Sequence, residues 1–500
     1  MLFNSLAFLI FFPIVCIVYW LLPRTSWRNV FLLVASYYFY MNWEPIYSLL
    51  ILFSTVSTWF ASNRIAKTDN RKHRKLWVTA CLIANFGILA VFKYFNFITE
   101  SVFSLLSIAG LRMEVPNFQI LLPVGISFYT FQAIGYIIDV YRDKVKPAKA
   151  LWKYALFVSF FPQLVAGPIE RSSNLLPQFD EKHRFNTPMF IEGIKMMLFG
   201  YFMKLCIADN VSGYVDAVFN NMDFHNGTSL ILATFFFTFQ IFCDFGGYSL
   251  IAIGAAMCMG FRLMQNFRQP YLAVSPKNFW RRWHISLSSW FTEYVYIPLG
   301  GNRCSKGRRT FNTVATMLVS GLWHGANWTF VIWGAYHGVL VAICNIFPGK
   351  KNDEREARNR KFLSGLQKCI SILVTFVLMS LGWVFFRANN VGDAFKAFKK
   401  MGTEHGMLYN GNGMPSILMG LMLIGILMVI EIYRERRGTR QLPEHLSTGR
   451  LITDIAYSAT LIIVILLCGS FTGGQFIISS SDNEKVPDFS FWRHSSCGWA

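Results

Sequence analysis

Acidic side chains are scarce in this chain. Its 500 residues hold 27 Asp and Glu against 47 Lys and Arg, and charged residues make up only 15%. With 54% hydrophobic residues, 17% aromatic residues and a mean hydropathy of +0.38, it carries more apolar surface than one soluble core can bury. This excludes an ordinary soluble domain and points to an integral membrane protein. A formal charge of +20 would suit a nucleic-acid binder, but the basic residues gather in short runs between long apolar segments, the signature of cytoplasmic loops. The ten cysteines form no CxxC pair and no repeating spacing, and most lie inside apolar stretches, so they read as packing thiols rather than a disulfide or metal framework. HxxH and HExxH patterns, a Gly-rich phosphate loop, internal repeats and low-complexity tracts are all missing.

What is present is a series of apolar runs that the basic clusters orient. The N-terminal stretch up to Arg24 has neither the basic n-region nor the cleavage site of a signal peptide, so a retained first span is expected, running inward to Arg24 and Arg28. Residues 29–62 hold two apolar runs broken at Asn42-Trp43-Glu44-Pro45. The charge pattern then predicts an outward span over 76–98, an outer loop over 99–118 and a return over 119–141 to Arg142, Lys144, Lys146, Lys149 and Lys153. The stretch 154–187 is apolar but basic at both ends and interrupted by Pro162, Gly167 and Pro168, which predicts a re-entrant or in-plane element. Residues 188–208 lead outward to a loop over 209–228 that contains Asp209, Asp216 and Asp223 without Lys or Arg, and 229–260 return. Spans over 363–386, 414–433 and 452–470 follow. The expected architecture is all-α, with about ten crossings plus re-entrant pieces in one membrane domain over 1–470, and a polar tail over 471–500.

Between Trp280 and His337 the pattern changes, and three of the nine histidines fall there: His284, His324 and His337. Ionisable groups at membrane depth are costly, and each is a site candidate by default. His284–Leu299 lies between Arg281/Arg282 and Arg303/Lys306/Arg308/Arg309, so it is expected to begin and end on the cytoplasmic side as a buried amphipathic or re-entrant helix. Runs 311–323 and 326–348 also have basic flanks, Arg309 and Lys350/Lys351. The first run is about 13 residues, or ~20 Å against a ~30 Å hydrocarbon core, which predicts a hairpin turning near Trp323-His324-Gly325 short of the outer surface.

The imidazole of His324, flanked by glycines and tryptophans, can accept a proton near neutral pH, and such a base is worth typically ~10²–10⁴ in rate. A buried histidine bonded to a carbonyl is the plain alternative. His337 lies ~20 Å further along a continuous helix and can share that site only if the helix breaks. Arg281 and Arg282 beside Trp283 and His284 suit an anionic phosphate, with lipid headgroups as the alternative. Asp244, midway along a long apolar span, requires a partner or a proton. Asp139 reads as an interfacial anchor, and His73, His183, His225, His405, His445 and His494 fall in expected loops or the tail.

Six stretches carry a family resemblance: Leu122-Pro-Val-Gly-Ile-Ser-Phe-Tyr-Thr-Phe-Gln132, Phe160-Phe-Pro-Gln-Leu-Val-Ala-Gly-Pro-Ile-Glu-Arg171, Phe242-Cys-Asp-Phe-Gly-Gly-Tyr-Ser249, Trp280-Arg-Arg-Trp-His-Ile-Ser-Leu-Ser288, Gly321-Leu-Trp-His-Gly325 and Leu381-Gly-Trp-Val-Phe-Phe-Arg387. In order and over nearly the whole chain, they resemble the membrane-bound O-acyltransferase (MBOAT) family, most of all its bacterial alginate O-acetylation branch. The C-terminus, where Gln475-Phe476-Ile477-Ile478 runs into a polar tail, departs from that branch's aromatic-rich ending. The resemblance implies a multi-pass enzyme of the bacterial cytoplasmic membrane. It implies an acyl group, acetyl from acetyl-CoA, moved from a cytosolic thioester to an extracytoplasmic polysaccharide or a partner transferase, with no tightly bound cofactor. It also assigns catalysis to His324 and His284, and makes Arg281, Arg282 and Trp283 candidates for holding the donor. Two rivals stay open: D-alanyl transfer from a carrier protein, and a non-catalytic transporter or glycan-export scaffold, although transporters often show the internal repeat that is missing here.

The charge pattern makes a testable statement about topology. Cysteines placed at positions 71 and 350 are expected to resist a membrane-impermeant thiol reagent added from outside, and one at 216 to react; the opposite labelling of 350 and 216 overturns the map.

Overall fold

The computed structural model describes residues 1–111, 122–165, 167–346, 361–411, 413–438 and 448–471, and among these every regular element is helical. The first two helices are α1 (Leu6–Leu21), capped by the Ser5 hydroxyl at Phe8 N–H, and α2 (Thr25–Met41). The break at Asn42–Pro45 falls where the sequence places it, and a short 3₁₀ turn leads into α3 (Ser48–Ala66). Next, α4 (Arg71–Leu89) continues through a π-turn, Ala90–Tyr94, into α5 (Phe95–Ile108). The expected outer loop is therefore helical through Ile108. Its polar residues turn back on their own helix, with the Thr99 hydroxyl donating to the Phe95 and Asn96 carbonyls and Ser107 to Ser104. The rest of that expected loop, 112–118, lies outside the described residues.

Helix α6 (Ile126–Tyr141) begins at Gly125, whose φ of +78° suits glycine and where a Cβ would meet the Leu164 carbonyl at 2.6 Å. The interrupted stretch 154–187 holds three short helices, α7 (Leu151–Ser159) and α8 (Phe161–Leu164), largely buried, and half-exposed α9 (Ser172–Gln178), none long enough to cross a membrane. The helix α10 (Thr187–Tyr201) passes through a second π-turn, Phe202–Ala208, into α11 (Asp209–Asn220). Residues 209–220, expected as loop, are thus an amphipathic helix that buries Val211, Val215, Val218 and Phe219. At the centre runs α12 (Gly227–Cys258), 32 residues and largely buried. The chain continues through α13 (Pro276–Trp280), α14 (Ile285–Phe291), α15 (Lys306–His324), α16 (Trp328–Ile346), α17 (Lys361–Arg387), α18 (Val391–Thr403), α19 (Met414–Arg437) and α20 (Thr448–Cys468).

Seven helical segments among the described residues are long and apolar enough to cross a membrane: 45–66, 71–108, 227–258, 328–346, 365–387, 414–437 and 451–468. The count is below the expected crossings because α1 and α6 have 16 residues, α2 has 17 and α10 has 15 before its π-turn, while α16, expected only as half of a hairpin, is one of the seven. The ion pairs agree with the charge map. Arg74–Asp143 (2.7 Å), Lys144–Glu293 and Arg282–Glu435 (2.9 Å) join segments assigned to the cytoplasm, while Arg387–Asp216 (2.6 Å) and Lys396–Asp223 join segments assigned to the outside.

Helices α10 and α12 touch through their backbones. A Cβ on Gly200 would sit 2.5 Å from the Gly247 carbonyl, and one on Gly193 would sit 2.7 Å from the Gly254 carbonyl. Small residues let helices approach this closely in a membrane, where packing rather than water drives association. Gly200→Val is expected to cost ~1–3 kcal/mol through overpacking, read as a lower unfolding temperature in detergent. Gly213→Ala, with nothing within 4 Å of its added Cβ, is the control expected to leave stability intact.

Candidate active site

The predicted hairpin exists. Helices α15 and α16 pack glycine against glycine, since a Cβ on Gly321 or Gly334 would meet the opposing backbone at once. Gly325 is extended (φ −167°) and lies under the Phe330 ring, and the Asn327 side chain accepts from Thr329 N–H at 2.9 Å to start α16. One expectation is corrected. The polar opening Lys306–Thr310 is helical, so α15 has 19 residues, ~28 Å long. The turn also donates from Asn327 Nδ2 to the Asn389 carbonyl at 3.2 Å, just beyond Arg387 and its partner Asp216. The turn is therefore level with residues that the charge map places outside, and His324, the last residue of α15, immediately precedes it.

His284 is reached differently. It adopts a left-handed conformation (φ 44°) at the N-cap of α14, which is rare for a residue with a Cβ and is characteristic of functional positions. The buried side chain of Asn266 holds it there. Asn266 Oδ1 accepts from Ser286 N–H (3.3 Å) and Ser286 Oγ (2.9 Å) and faces His284 Nδ1 at 3.1 Å, while Asn266 Nδ2 donates to Ser249 Oγ at 3.1 Å. A backbone N–H can only donate, so the Ser286 contact fixes which amide atom is oxygen, and His284 Nδ1 must then carry the proton. The lone pair is left on Nε2, which is enclosed and takes no hydrogen bond among the described residues.

The fold brings these two histidines together: their ring centroids are 6.4 Å apart. Around them stand Phe128, Phe245 and Trp323 on the His284 side, and Trp323, Trp333 and Phe386 around His324, at 4.6–6.4 Å. His324 is 7% exposed, against 1% for His284 and 0% for His337, so it is the imidazole with access to open space. Its ring takes no hydrogen bond from the described residues, which removes the carbonyl-bonded alternative. His337 comes back toward the site because the helix does break. It sits one layer deeper, sharing Trp333 with His324 (4.9 Å and 5.0 Å) and packed against Trp280 and Gly382.

The three residues expected to hold the donor are not equivalent. Arg281 is exposed, whereas Arg282 is bound two-pronged by Glu435 at 2.9 Å on both nitrogens. Trp283 is buried and packs on Phe279 (5.3 Å) and Trp383 (4.9 Å). Asp244 has the partner its position demands, Lys204 at 2.6 Å, and that ammonium also binds Asp209 at 2.7 Å. Asp139 is buried at the end of α6, where its carbonyl accepts from Lys144 N–H at 2.9 Å beside the Lys144–Glu293 pair, and His73 lies in the first turn of α4 rather than a loop. His183 and His225 are packed, on Phe261 (4.6 Å) and Tyr409 (4.5 Å), and His445 and His494 lie outside the described residues. Sequence reasoning missed Lys93, Lys204 and Asn266. The two lysines carried a signal, since each is a lone charge inside an apolar run, the same feature that singled out Asp244.

Fold and site together describe a multi-pass helical membrane enzyme built around paired imidazoles. Comparison with known proteins gives the class. The model of MBOAT, the membrane-bound O-acyltransferase family, matches residues 149–348, which include His284, His324 and His337. The chain is 40% identical over 407 residues to a probable alginate O-acetylase AlgI of Azotobacter vinelandii, covering 80% of this chain and 78% of that protein. It is 34% identical over 432 residues to a peptidoglycan O-acetyltransferase of Helicobacter pylori, covering 80% of each. Over a shorter 285 residues it is 30% identical to a teichoic acid D-alanyltransferase of Streptococcus thermophilus, covering 53% of this chain and 68% of that protein. The chain belongs to the membrane-bound O-acyltransferase family and is an O-acyltransferase.

The tautomer lock on His284 is testable by itself. Asn266→Ala is expected to lower kcat by roughly tenfold or more, because a free imidazole no longer keeps its lone pair on Nε2, whereas loss of a triad orienter in a serine protease costs about 10⁴. Turnover measured in proteoliposomes that stays at the wild-type rate removes the lock from the mechanism.

Proposed function

We propose that the enzyme takes an acetyl group from acetyl-CoA on the cytosolic side of a bacterial cytoplasmic membrane. It delivers the group to a hydroxyl on the other side, carried by an extracytoplasmic polysaccharide or by a partner transferase that modifies one. The observation that carries this reading is the pairing of His284 and His324 at 6.4 Å, because the two approach from opposite faces. His284 follows Arg281 and Arg282 on the cytoplasmic side of the charge map, and His324 precedes the turn that is level with Asn389. The acetylases among the relatives align over about 80% of the chain against 53% for the D-alanyltransferase, which favours acetyl over D-alanyl.

In this reading the acceptor oxygen attacks the thioester carbonyl while His324 takes the hydroxyl proton. As the carbon–sulfur bond breaks, sulfur leaves with that proton as a thiol and the ester remains. Protons balance without any tightly bound cofactor. His284 Nε2, with its lone pair fixed by Asn266, orients a donor hydrogen of one substrate. Arg281 meets the donor's phosphates, Arg282 and Glu435 shape the entrance, and Trp283 forms its packed floor.

His324→Ala is expected to abolish transfer in proteoliposomes while the protein still inserts and melts normally in detergent. Retention of more than about a tenth of wild-type kcat, far above the ~10²-fold loss a general base implies, sinks the assignment of His324.

A further inference from the structure

The end of α15 that carries His324 is capped from elsewhere in the chain. A helix leaves its last four carbonyls without internal partners, and Gly325, being extended, makes no capping bond back into α15. Two consecutive residues of the Ala90–Tyr94 π-turn take those carbonyls instead. Tyr94 Oη donates to the Leu322 carbonyl at 2.7 Å, and Lys93 Nζ to the Trp323 carbonyl at 2.8 Å and the His324 carbonyl at 3.4 Å. Lys93 also reaches Ser127 Oγ at 3.5 Å and lies 5.8 Å from the Trp323 ring. The residue is 9% exposed, on a helical segment apolar enough to cross a membrane, where a charge is expensive and kept for function. A cation at this helix end also meets the negative pole of the peptide dipoles.

This cap matters because the His324 ring takes no hydrogen bond from the described residues. Among the described residues, the ring meets those of Trp323, Trp333, Phe386 and His284. We propose that Lys93, with Tyr94, is a positioning residue for acyl transfer: it clamps the backbone of His324 and so fixes the angle at which the imidazole meets the reacting hydroxyl. The inference rests on His324 as the base.

The test uses the full chain in proteoliposomes, with kcat and donor KM measured for Lys93→Met, Lys93→Arg and Tyr94→Phe. A misplacement of about 1 Å can cost ~10²-fold, so Lys93→Met is expected to lower kcat ~10–100-fold with donor KM nearly unchanged. Lys93→Arg, which restores a donor and a charge, is expected to recover part of the loss, and Tyr94→Phe to lose a few-fold. A wild-type kcat in Lys93→Met, or a loss carried by KM, overturns the proposal. If Lys93→Met does not fold, Tyr94→Phe decides, and a wild-type kcat there overturns it. A His324→Ala enzyme that remains active sinks the base itself, whereas a dead His324→Ala enzyme beside a fully active Lys93→Met enzyme sinks only the clamp.

Discussion

Burying an ion in an apolar interior costs several kcal/mol even after relaxation, and an ion pair offsets this only with close geometry and further hydrogen bonds. The ammonium of Lys204 meets that condition, with Asp244 at 2.6 Å and Asp209 at 2.7 Å, and it ties α10, α11 and α12 together. The rest of the structure depends on that tie. Helix α12 also carries Phe245 against His284 and Ser249 against Asn266, so the helix placed by the ion pair is the one that holds the His284 lock. Buried Lys93 is held by helix-end carbonyls, and half-buried Arg282 by Glu435. Unpartnered buried polar atoms need a reason, and among the described residues His284 Nε2 and both nitrogens of His337 have no hydrogen-bond partner and stand together in one aromatic interior.

The three π-turns fall into this scheme. Ala90–Tyr94, Phe202–Ala208 and Thr292–Tyr296 each contain an ionisable residue, respectively Lys93, Lys204 and Glu293. A π-turn adds a residue to a helical turn and rotates the helix beyond it, so a side chain can be aimed inward where regular geometry would send it to lipid. Lys93 is aimed at the end of α15, Lys204 at Asp244, and Glu293 at Lys144 and Arg171. Each turn thus exchanges regular backbone for a fixed charge.

Much of this is legible in the sequence, for identifiable reasons. Hydropathy and basic clusters locate the apolar runs, the broken stretch around Pro162 and the hairpin turn at His324, because apolar runs and charge asymmetry are local properties. Polar segments are less legible. Residues 99–108 and 209–220 look like loops, yet helices at a membrane edge can be polar on one face, and the apolar-run criterion also shortens α15 by dropping Lys306–Thr310. His324 and His284 stand out as candidates, while their proximity does not, since 40 residues separate them. Asn266 carries no signal at all: an asparagine outside any motif gains its meaning only from Ser286 N–H and Ser249, which the fold brings to it.

The two imidazoles differ in access, His324 at 7% exposure against 1% for His284, and the proposed reaction gives that difference a use. In the proposed reaction, a donor that stays in the cytosol and an acceptor that stays outside must meet without a continuous water path between them. His284 is sealed, oriented by Asn266 and close to the cytoplasmic cations, whereas His324 keeps some exposure next to a turn bonded to outer backbone. On that proposal, a fixed, dry imidazole on one side and a partly open one on the other would let a proton move at the meeting point, and aromatic rings pack around both. The tryptophans that line this volume are therefore as much a part of the barrier as of the site, and a smaller side chain at Trp323 or Trp333 would open the same path that the chemistry requires to be closed.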